Sequence, residues 1–195
     1  MFVIELAILI YSVVLHEVAH GYVAERLGDP TARAQRRLTL NPLPHIDPIY
    51  TIILPLILLV SGAGIIFGAA KPVPVDPFNF RDPKKDTAIV SLAGPLTNIL
   101  IAGAFSILYR LYPVDVFITA IQLNIGLAVF NLIPIPPLDG SKILAGVLSD
   151  NIAEAMYRLQ NYGLTLIFFI LFFIPGLIQI FTGPLTRILY KLLLP

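Results

Sequence analysis

The strongest constraint on this chain is a His-Glu-x-x-His segment inside an apolar stretch. His16, Glu17 and His20 lie within a run of apolar residues at about 2–24. On a helix the two histidines are four residues apart and project from one face, so both imidazoles can reach one Zn²⁺ with Glu17 near its open position. Each ionisable group in hydrocarbon costs roughly 2.5 to 3.5 kcal/mol, so such a set needs a functional reason. The segment therefore predicts a catalytic zinc site carried by a membrane helix.

The composition predicts an integral membrane protein. Of the 195 residues, 57% are hydrophobic and 13% are charged, against about 25% charged in soluble domains. The net charge is +1 and no run of Lys and Arg is interleaved with aromatic residues, so no nucleic-acid surface is expected. The chain has no cysteine. Disulfides and thiolate ligands are thereby excluded, and a metal must be held by His, Asp or Glu.

Several apolar stretches are long enough to span a bilayer, which takes about 20 residues. They lie at about 2–24, 49–70, 88–111, 115–135 and 162–194, the last with a break at Pro175-Gly176. The polar, Arg-rich stretch 31–40 contains an alternating piece at 34–40 and is expected to form a short strand or hairpin at the membrane surface. We expect one all-α polytopic domain over 1–195. Its catalytic core would comprise about 2–24, 88–111 and 115–145, with C-terminal helices at 152–194.

The distribution of positive charge favours a second segment that enters the membrane and returns. Pro55 lies inside 49–70, and the Ser-Gly-Ala-Gly run at 61–64 could allow a sharp reversal. If 49–70 crosses once, the 13 Lys and Arg residues divide seven against six, which gives no orientation. If it turns back, ten of the 13 lie on one side. We therefore expect a re-entrant or broken second segment with the ten-charge side cytoplasmic; whether 49–70 and 177–193 fully cross the bilayer stays open.

A catalytic zinc commonly has three protein ligands and one water, so a third donor must come from elsewhere in the chain. Asp139 closes the Pro-rich run 131–140, and irregular backbone at membrane depth is tolerated only where it is buried in protein or lines a wet cavity. The re-entrant topology would return 115–135 to the level of His16 and bring Asp139 there. An alternative role for Asp139 is a helix N-cap. His45 is expected to be a hydrogen-bonding loop residue, with transient ligation or gating as its alternative.

These motifs resemble those of the site-2 proteases, zinc metalloproteases that cut substrates within the membrane. The resemblance rests on the His-Glu-x-x-His segment, on Ser-Leu-Ala-Gly-Pro-Leu-Thr-Asn at 91–98, and on the run 131–140 that ends in Pro-Leu-Asp-Gly. The pieces 41–48 and 70–75 resemble the compact prokaryotic branch. The resemblance implies that His16, His20 and Asp139 are the zinc ligands and that Glu17 is the catalytic acid/base.

The predicted function is a zinc-dependent endopeptidase, with one Zn²⁺ per chain, that cleaves transmembrane segments of protein substrates within the bilayer. Bound zinc lowers the pKa of its water towards about 7, and Glu17 would move the proton to the leaving amine. Asn131 is expected either to contact the substrate backbone or transition state, or to be a helix-packing amide. The expected location is a prokaryotic cell membrane, with the active site nearer the cytoplasmic side.

Two functions without proteolysis are the alternatives: a zinc carrier or scaffold, and a silent partner that holds transmembrane helices. Glu17 argues against a carrier, because a carrier needs ligands but no acid/base beside the open position. The sequence leaves the natural substrate, the regulation and the oligomeric state open.

Overall fold

The structure is a computed structural model that describes residues 2–62 and 68–194. Helices joined by irregular segments make up this part of the chain, and no strand occurs in it. The helices are α1 (Phe2–Arg26), α2 (Thr31–Ala34), α3 (Leu54–Val60), α4 (Pro83–Leu111), α5 (Asp115–Asn131), α6 (Asp139–Val147), α7 (Asp150–Leu159), α8 (Gly163–Phe173) and α9 (Pro175–Leu193). The helical character predicted from the sequence is confirmed.

In the part of the chain that the structure describes, two helices, α1 and α4, are long and apolar enough to cross a membrane. The candidate spans are Val3–Arg26, with 24 residues, and Pro83–Leu111, with 29 residues. At 1.5 Å per residue they measure about 36 Å and 43 Å, against a hydrocarbon thickness of about 30 Å. Large apolar side chains on α4, including Leu100 and Ile107, are exposed. An apolar outer surface of this kind suits a lipid environment.

Helix α4 lies at the centre of the fold, in contact with α1, α5 and α6. One face of α4 carries small residues that are buried: Ser91, Gly94, Asn98 and Ala102. Small residues let helices approach closely in a membrane protein. Ile121 of α5 is fully buried in a cluster with Ala102 and with Leu189 of α9. Close packing of this small-residue face brings α1, α4 and α5 together around the part of α1 that carries His16 and His20.

The connection between α5 and α6 determines where Asp139 lies. Helix α5 ends at Asn131, before the prolines at 134, 136 and 137, which have no backbone N–H to continue a helix. Helix α6 then begins at Asp139, with Leu138 in the capping position and no capping bond from a side chain. The alternative prediction that Asp139 is an N-cap is wrong. Its carboxylate is free of that role and stays available to the interior.

The two ends of the second apolar segment lie next to each other. The Ala69 N–H donates to the Tyr50 carbonyl at 3.0 Å, and the Lys71 N–H donates to the His45 carbonyl at 2.9 Å. The Thr51 hydroxyl donates to the Ala69 carbonyl at 2.7 Å. Of the reversal expected at 61–64, Ser61 and Gly62 form a turn, with Gly62 at φ 66°. The remainder of that reversal lies outside the described residues.

The strand or hairpin predicted at 31–40 is wrong. The chain forms the single-turn helix α2 there, and the Arg37 N–H closes the turn by donating to the Ala32 carbonyl at 2.9 Å. Arg36 then adopts a left-handed backbone at φ 54°, which an extended strand cannot include. Local hydrogen bonding therefore overrides the alternating pattern of the sequence.

Asp29 fixes the loops around Thr31 and at 76–79 to the end of α1. Its fully buried carboxylate accepts the Thr31 N–H at 3.1 Å, the Asp76 N–H at 2.8 Å and the Asn79 side-chain amide at 2.8 Å, together with the Thr31 hydroxyl. Burial acts to raise the pKa of Asp29, but these bonds outweigh it and hold the pKa below its usual range. The ionised form of Asp29 therefore stabilises the folded loops.

We predict that Asp29→Asn lowers the thermal unfolding midpoint of the detergent-solubilised protein at pH 7, with a loss of about 2 kcal/mol from unpaired buried donors. Because the folded pKa lies below the unfolded value of about 3.9, the stabilisation is complete above that value and is lost as the pH falls through the folded pKa. The difference between wild type and variant should therefore shrink at about pH 3. Asp115→Asn, at an exposed position, is the control; equal midpoints for Asp29→Asn and wild type at pH 7 would refute the role.

Candidate metal centre

Three buried side chains from two helices meet at one point. His16 and His20 project from α1, and Asp139 projects from the first position of α6. His16 Nε2 lies 3.1 Å and His20 Nε2 lies 3.3 Å from Asp139 Oδ2, and the two Nε2 atoms are 3.0 Å apart. Within residues 2–62 and 68–194, this is the one group of three or more His, Cys, Asp or Glu side chains close enough to share a metal ion.

The spacing of these three atoms suits a tetrahedral zinc ion. Ligand atoms about 2.0–2.1 Å from a tetrahedral Zn²⁺ lie roughly 3.3–3.4 Å from one another. The observed separations of 3.0, 3.1 and 3.3 Å are within a few tenths of an ångström of that value. Three protein donors leave a fourth position for water, which is the pattern of a catalytic zinc site rather than a structural one.

The hydrogen bonds of both imidazoles direct their lone pairs towards Asp139. His16 Nδ1 lies 2.6 Å from Asn98 Oδ1, and His20 Nδ1 lies 2.7 Å from the Val90 carbonyl oxygen. Both partners can only accept, so each Nδ1 is the donor and each neutral ring has a bare lone pair on Nε2. Asp139 Oδ2, which faces these two nitrogens, is buried and has no hydrogen-bond donor. Three converging lone pairs repel one another and are stabilised by a cation between them.

A buried polar network fixes the orientation of the Asn98 amide. Asn98 Nδ2 donates to Asn124 Oδ1 at 3.0 Å and to the Ser12 carbonyl at 3.3 Å. Asn124 Nδ2 in turn donates to the Ser12 hydroxyl at 2.9 Å. Because the Asn98 amide nitrogen is used by acceptors, its oxygen is the atom that faces His16. This network locks the tautomer and the ring direction of His16, a function that partners of metal ligands commonly have.

Gly94 of α4 makes room for the histidine pair. A Cβ at this position would lie 2.4 Å from His20 Nε2 and 2.5 Å from His16 Nε2. Real side-chain carbons do not approach nitrogen atoms so closely. The backbone of α4 therefore reaches the Nε2 atoms of His16 and His20 only because residue 94 has no side chain.

Glu17 lies beside the three donors without joining them. It is half-buried, and its Oε2 accepts the Val73 backbone N–H at 2.7 Å. Its position on α1 next to His16 places it in the wall of the same cavity as the metal-binding group. Glu17 is therefore available as an acid/base rather than as a ligand.

The cavity that contains these groups has a volume of about 1070 Å³. Its walls include Leu127 and Asn131 of α5 and the segment 68–77. Ligand pockets usually measure roughly 300–1000 Å³, so this space can hold several residues of a peptide. Asn131 Nδ2 donates to the Leu127 carbonyl at 2.9 Å. Asn131 therefore faces the cavity while its nitrogen is bonded to its own helix.

His45 lies apart from the metal-binding group. Its side chain is buried, and His45 Nε2 lies 3.0 Å from the Thr39 carbonyl oxygen. The hydrogen-bonding loop role is what the structure shows for this residue.

Comparisons with known proteins identify the family. The model of Peptidase family M50 matches residues 110–174. The chain is 39% identical over 181 residues to YwhC of Bacillus subtilis, which bears the provisional name of a zinc metalloprotease, and the match covers 86% of this chain and 78% of YwhC. The chain belongs to this peptidase family.

Two further relatives carry the same provisional description and the name Rip2. The protein of Mycolicibacterium smegmatis is 33% identical over 174 residues, covering 85% of this chain and 65% of that protein. The protein of Mycobacterium tuberculosis is 30% identical over 189 residues, covering 93% of this chain and 71% of that protein. No solved structure matches the chain. Family membership confirms the resemblance to the site-2 proteases and makes the protein a peptide hydrolase.

Sequence reasoning missed three groups around the candidate metal centre. It did not identify Asn98 as a partner of His16, whereas the Asn98 amide orients that histidine. It did not assign a role to the carbonyl of Val90, which orients His20, or to the N–H of Val73, which bonds Glu17. An available signal was the position of Asn98, seven residues after Ser91 and so on the same face of α4. Backbone groups such as those of Val90 and Val73 carry no signal of this kind.

We predict that Gly94→Ala abolishes stoichiometric metal binding, because the added methyl group would overlap the metal-binding nitrogens of His16 and His20. Zinc content per chain, measured by plasma mass spectrometry on the purified protein, is the readout. The matched control is Gly103→Ala on the same helix, where the nearest atom to an added Cβ is Leu193 Cδ2 at 4.0 Å. Full zinc occupancy in Gly94→Ala would contradict the position assigned to the site.

Proposed function

We propose that this protein is an intramembrane zinc endopeptidase whose ligands are His16, His20 and Asp139. The observation that carries the proposal is the convergence of two imidazole lone pairs and one buried carboxylate oxygen, with Glu17 beside them in one cavity. The zinc named in the relatives' descriptions agrees with this donor set. Nitrogen and oxygen donors at these separations suit Zn²⁺.

Glu17 performs the proton transfers in this proposal. Bound zinc would supply a water of lowered pKa and polarise the scissile carbonyl. The carboxylate of Glu17 would take a proton from the attacking water as the water oxygen bonds to the scissile carbonyl carbon, and would give it to the leaving amine as the C–N bond breaks. The Val73 N–H bonds Oε2 of Glu17, which leaves Oε1 for the water. This placement argues against a zinc carrier, which needs no acid/base beside its ligands.

The substrate we propose is a transmembrane segment of another membrane protein, bound in a locally unwound form. The cavity reaches both His16 on the long apolar helix α1 and Leu127 on α5, so an apolar peptide can approach the site. A helix must be opened before its carbonyl can meet the metal, because helical carbonyls are already bonded within the helix. Asn131 is proposed to contact the unwound backbone through its side-chain oxygen, from its place in the cavity wall.

We further propose that the whole chain acts as one domain with its site nearer the cytoplasmic side of a prokaryotic membrane. His16 lies 14 residues into α1, roughly 21 Å from its start at 1.5 Å per residue. The hydrogen bonds of Ala69 with Tyr50 and Thr51 support a second segment that returns to its side of entry. Ten of the 13 Lys and Arg residues then share the side on which the site lies, which is cytoplasmic under the positive-inside rule.

We predict that Glu17→Gln lowers the cleavage rate of a model transmembrane substrate in proteoliposomes by about 10²- to 10⁴-fold, the usual contribution of a general acid/base. Zinc content should stay at one ion per chain, because Glu17 is not a ligand. His16→Ala and Asp139→Ala should lose both cleavage and zinc.

The control for Glu17→Gln is Glu25→Gln, which makes the same change in the ion pair with Arg33 near the end of the same helix. Glu25→Gln should cleave at the wild-type rate. Zinc-loaded wild-type protein that shows no Glu17-dependent cleavage would leave only the carrier or scaffold functions.

A further inference from the structure

A buried arginine lies one loop away from Glu17 and has no role in the mechanism described so far. Arg37 is 7% exposed, although Arg36 beside it is exposed to solvent. Arginine is rarely buried unless its charge is compensated. Arg37 has no carboxylate partner among the ion pairs of the described residues. The burial of Arg37 must therefore be explained by hydrogen bonds to uncharged groups.

The guanidinium of Arg37 binds two consecutive backbone carbonyls. Its Nη2 donates to the Lys71 carbonyl at 2.8 Å and to the Pro72 carbonyl at 3.2 Å. The left-handed backbone of Arg36, at φ 54°, turns the chain just before Arg37. A charged donor to a carbonyl makes a stronger bond than a neutral one. Arg37 thus fixes the segment Lys71, Pro72 and Val73, here called the 71–73 strap.

The strap carries the donor that bonds Glu17. The Val73 N–H donates to Glu17 Oε2 at 2.7 Å, directly after the two carbonyls that Arg37 binds. The Lys71 N–H is bonded to the His45 carbonyl at 2.9 Å, which fixes the start of the strap. Pro72 and Pro74 restrict the backbone around Val73. The direction of the Val73 N–H is therefore set by the contacts of its neighbours.

A glycine on α1 provides independent evidence for a built contact at this place. A Cβ on Gly21, one turn beyond Glu17, would lie 2.5 Å from Leu38 Cδ2 and 2.8 Å from Val73 Cγ1. Leu38, which follows Arg37, and Val73, which bonds Glu17, therefore both pack against α1 at Gly21. Both segments approach the helix so closely only because residue 21 lacks a side chain.

We propose that Arg37 is a positioning residue for Glu17, acting through the 71–73 strap; this rests on the proposed protease function. Arg37 holds the Lys71 and Pro72 carbonyls, the strap directs the Val73 N–H, and that N–H holds one oxygen of Glu17. The other oxygen is thereby aimed at the water to be deprotonated. A displacement of about 1 Å at a reacting group can lower a rate by roughly 10²-fold, so a contact this remote can control turnover.

The test compares Arg37→Asn with Arg36→Asn, two identical changes one position apart, in the full-length zinc-loaded protein. Arg37→Asn is expected to lower kcat for a model transmembrane substrate by about 10- to 100-fold while KM stays within about twofold. Zinc content should be unchanged. Arg36→Asn should match wild type, since its side chain is exposed and Asn tolerates a left-handed backbone. Arg37→Lys, which keeps a charged donor, should recover part of the lost kcat.

Hydrogen exchange separates positioning from a general structural role. In a peptide covering 70–76, Pro72 and Pro74 have no amide, so the Val73 amide contributes a large part of the signal. Arg37→Asn should speed exchange in this peptide and leave peptides from α4 and α5 at wild-type rates. Faster exchange throughout the protein, or loss of zinc, would show a folding role and overturn the proposal.

A second pair of variants tests the same link if Arg37→Asn is poorly folded. Val73→Pro removes the N–H, whereas Val73→Ala removes only side-chain packing and keeps it. Val73→Pro should reduce kcat more than Val73→Ala; equal effects would overturn the proposal. Wild-type cleavage that is independent of Glu17 would overturn the proposed function itself. Where Glu17 dependence is established, wild-type kcat in Arg37→Asn would overturn the positioning role alone.

Discussion

The rest of the structure depends on three lone pairs that converge in an apolar interior and repel one another. His16 Nε2, His20 Nε2 and Asp139 Oδ2 lie about 3 Å apart with both imidazole protons directed away from the centre. No proton arrangement of neutral histidines satisfies all three atoms, and burying an unpaired carboxylate is strongly unfavourable. A divalent cation removes both penalties at once. Metal binding and the approach of Asp139 on α6 to His16 and His20 on α1 are therefore coupled.

Other interior residues hold these three side chains in place. The backbone of α4 approaches the histidine pair at Gly94, and the Asn98 amide, held by Asn124 and Ser12, directs His16. These polar groups bond one another, which is the condition for placing amides in an apolar interior. The non-helical connection between α5 and α6 then places Asp139 beside the two histidines. Close packing at Gly94 makes room for the histidines, the amide network orients His16, and the connection between α5 and α6 positions Asp139.

The three side chains that could share a metal ion were all candidates from the sequence, and the structure brings them together. The spacing of His16 and His20 follows from the helical period, and Asp139 was a candidate because of the expected return of 115–135 to their level. The bonds of Asn98 to His16 and of Val73 to Glu17 join residues 82 and 56 positions apart, and they depend on tertiary approach. At 31–40 the alternating pattern favoured a strand, but the left-handed backbone at Arg36 excludes it. Local backbone hydrogen bonds compete with strand formation, and the alternation of residues does not show which of the two prevails.

Shared coordination of one zinc ion by His16, His20 and Asp139 is tested by locating the metal in crystals of the zinc-loaded protein, through anomalous scattering at the zinc absorption edge. We predict one strong peak per chain, about 2.0–2.2 Å from His16 Nε2, His20 Nε2 and an oxygen of Asp139. A peak at another place, or one bonded to the two histidines with the carboxylate of Asp139 outside bonding distance, would refute this coordination.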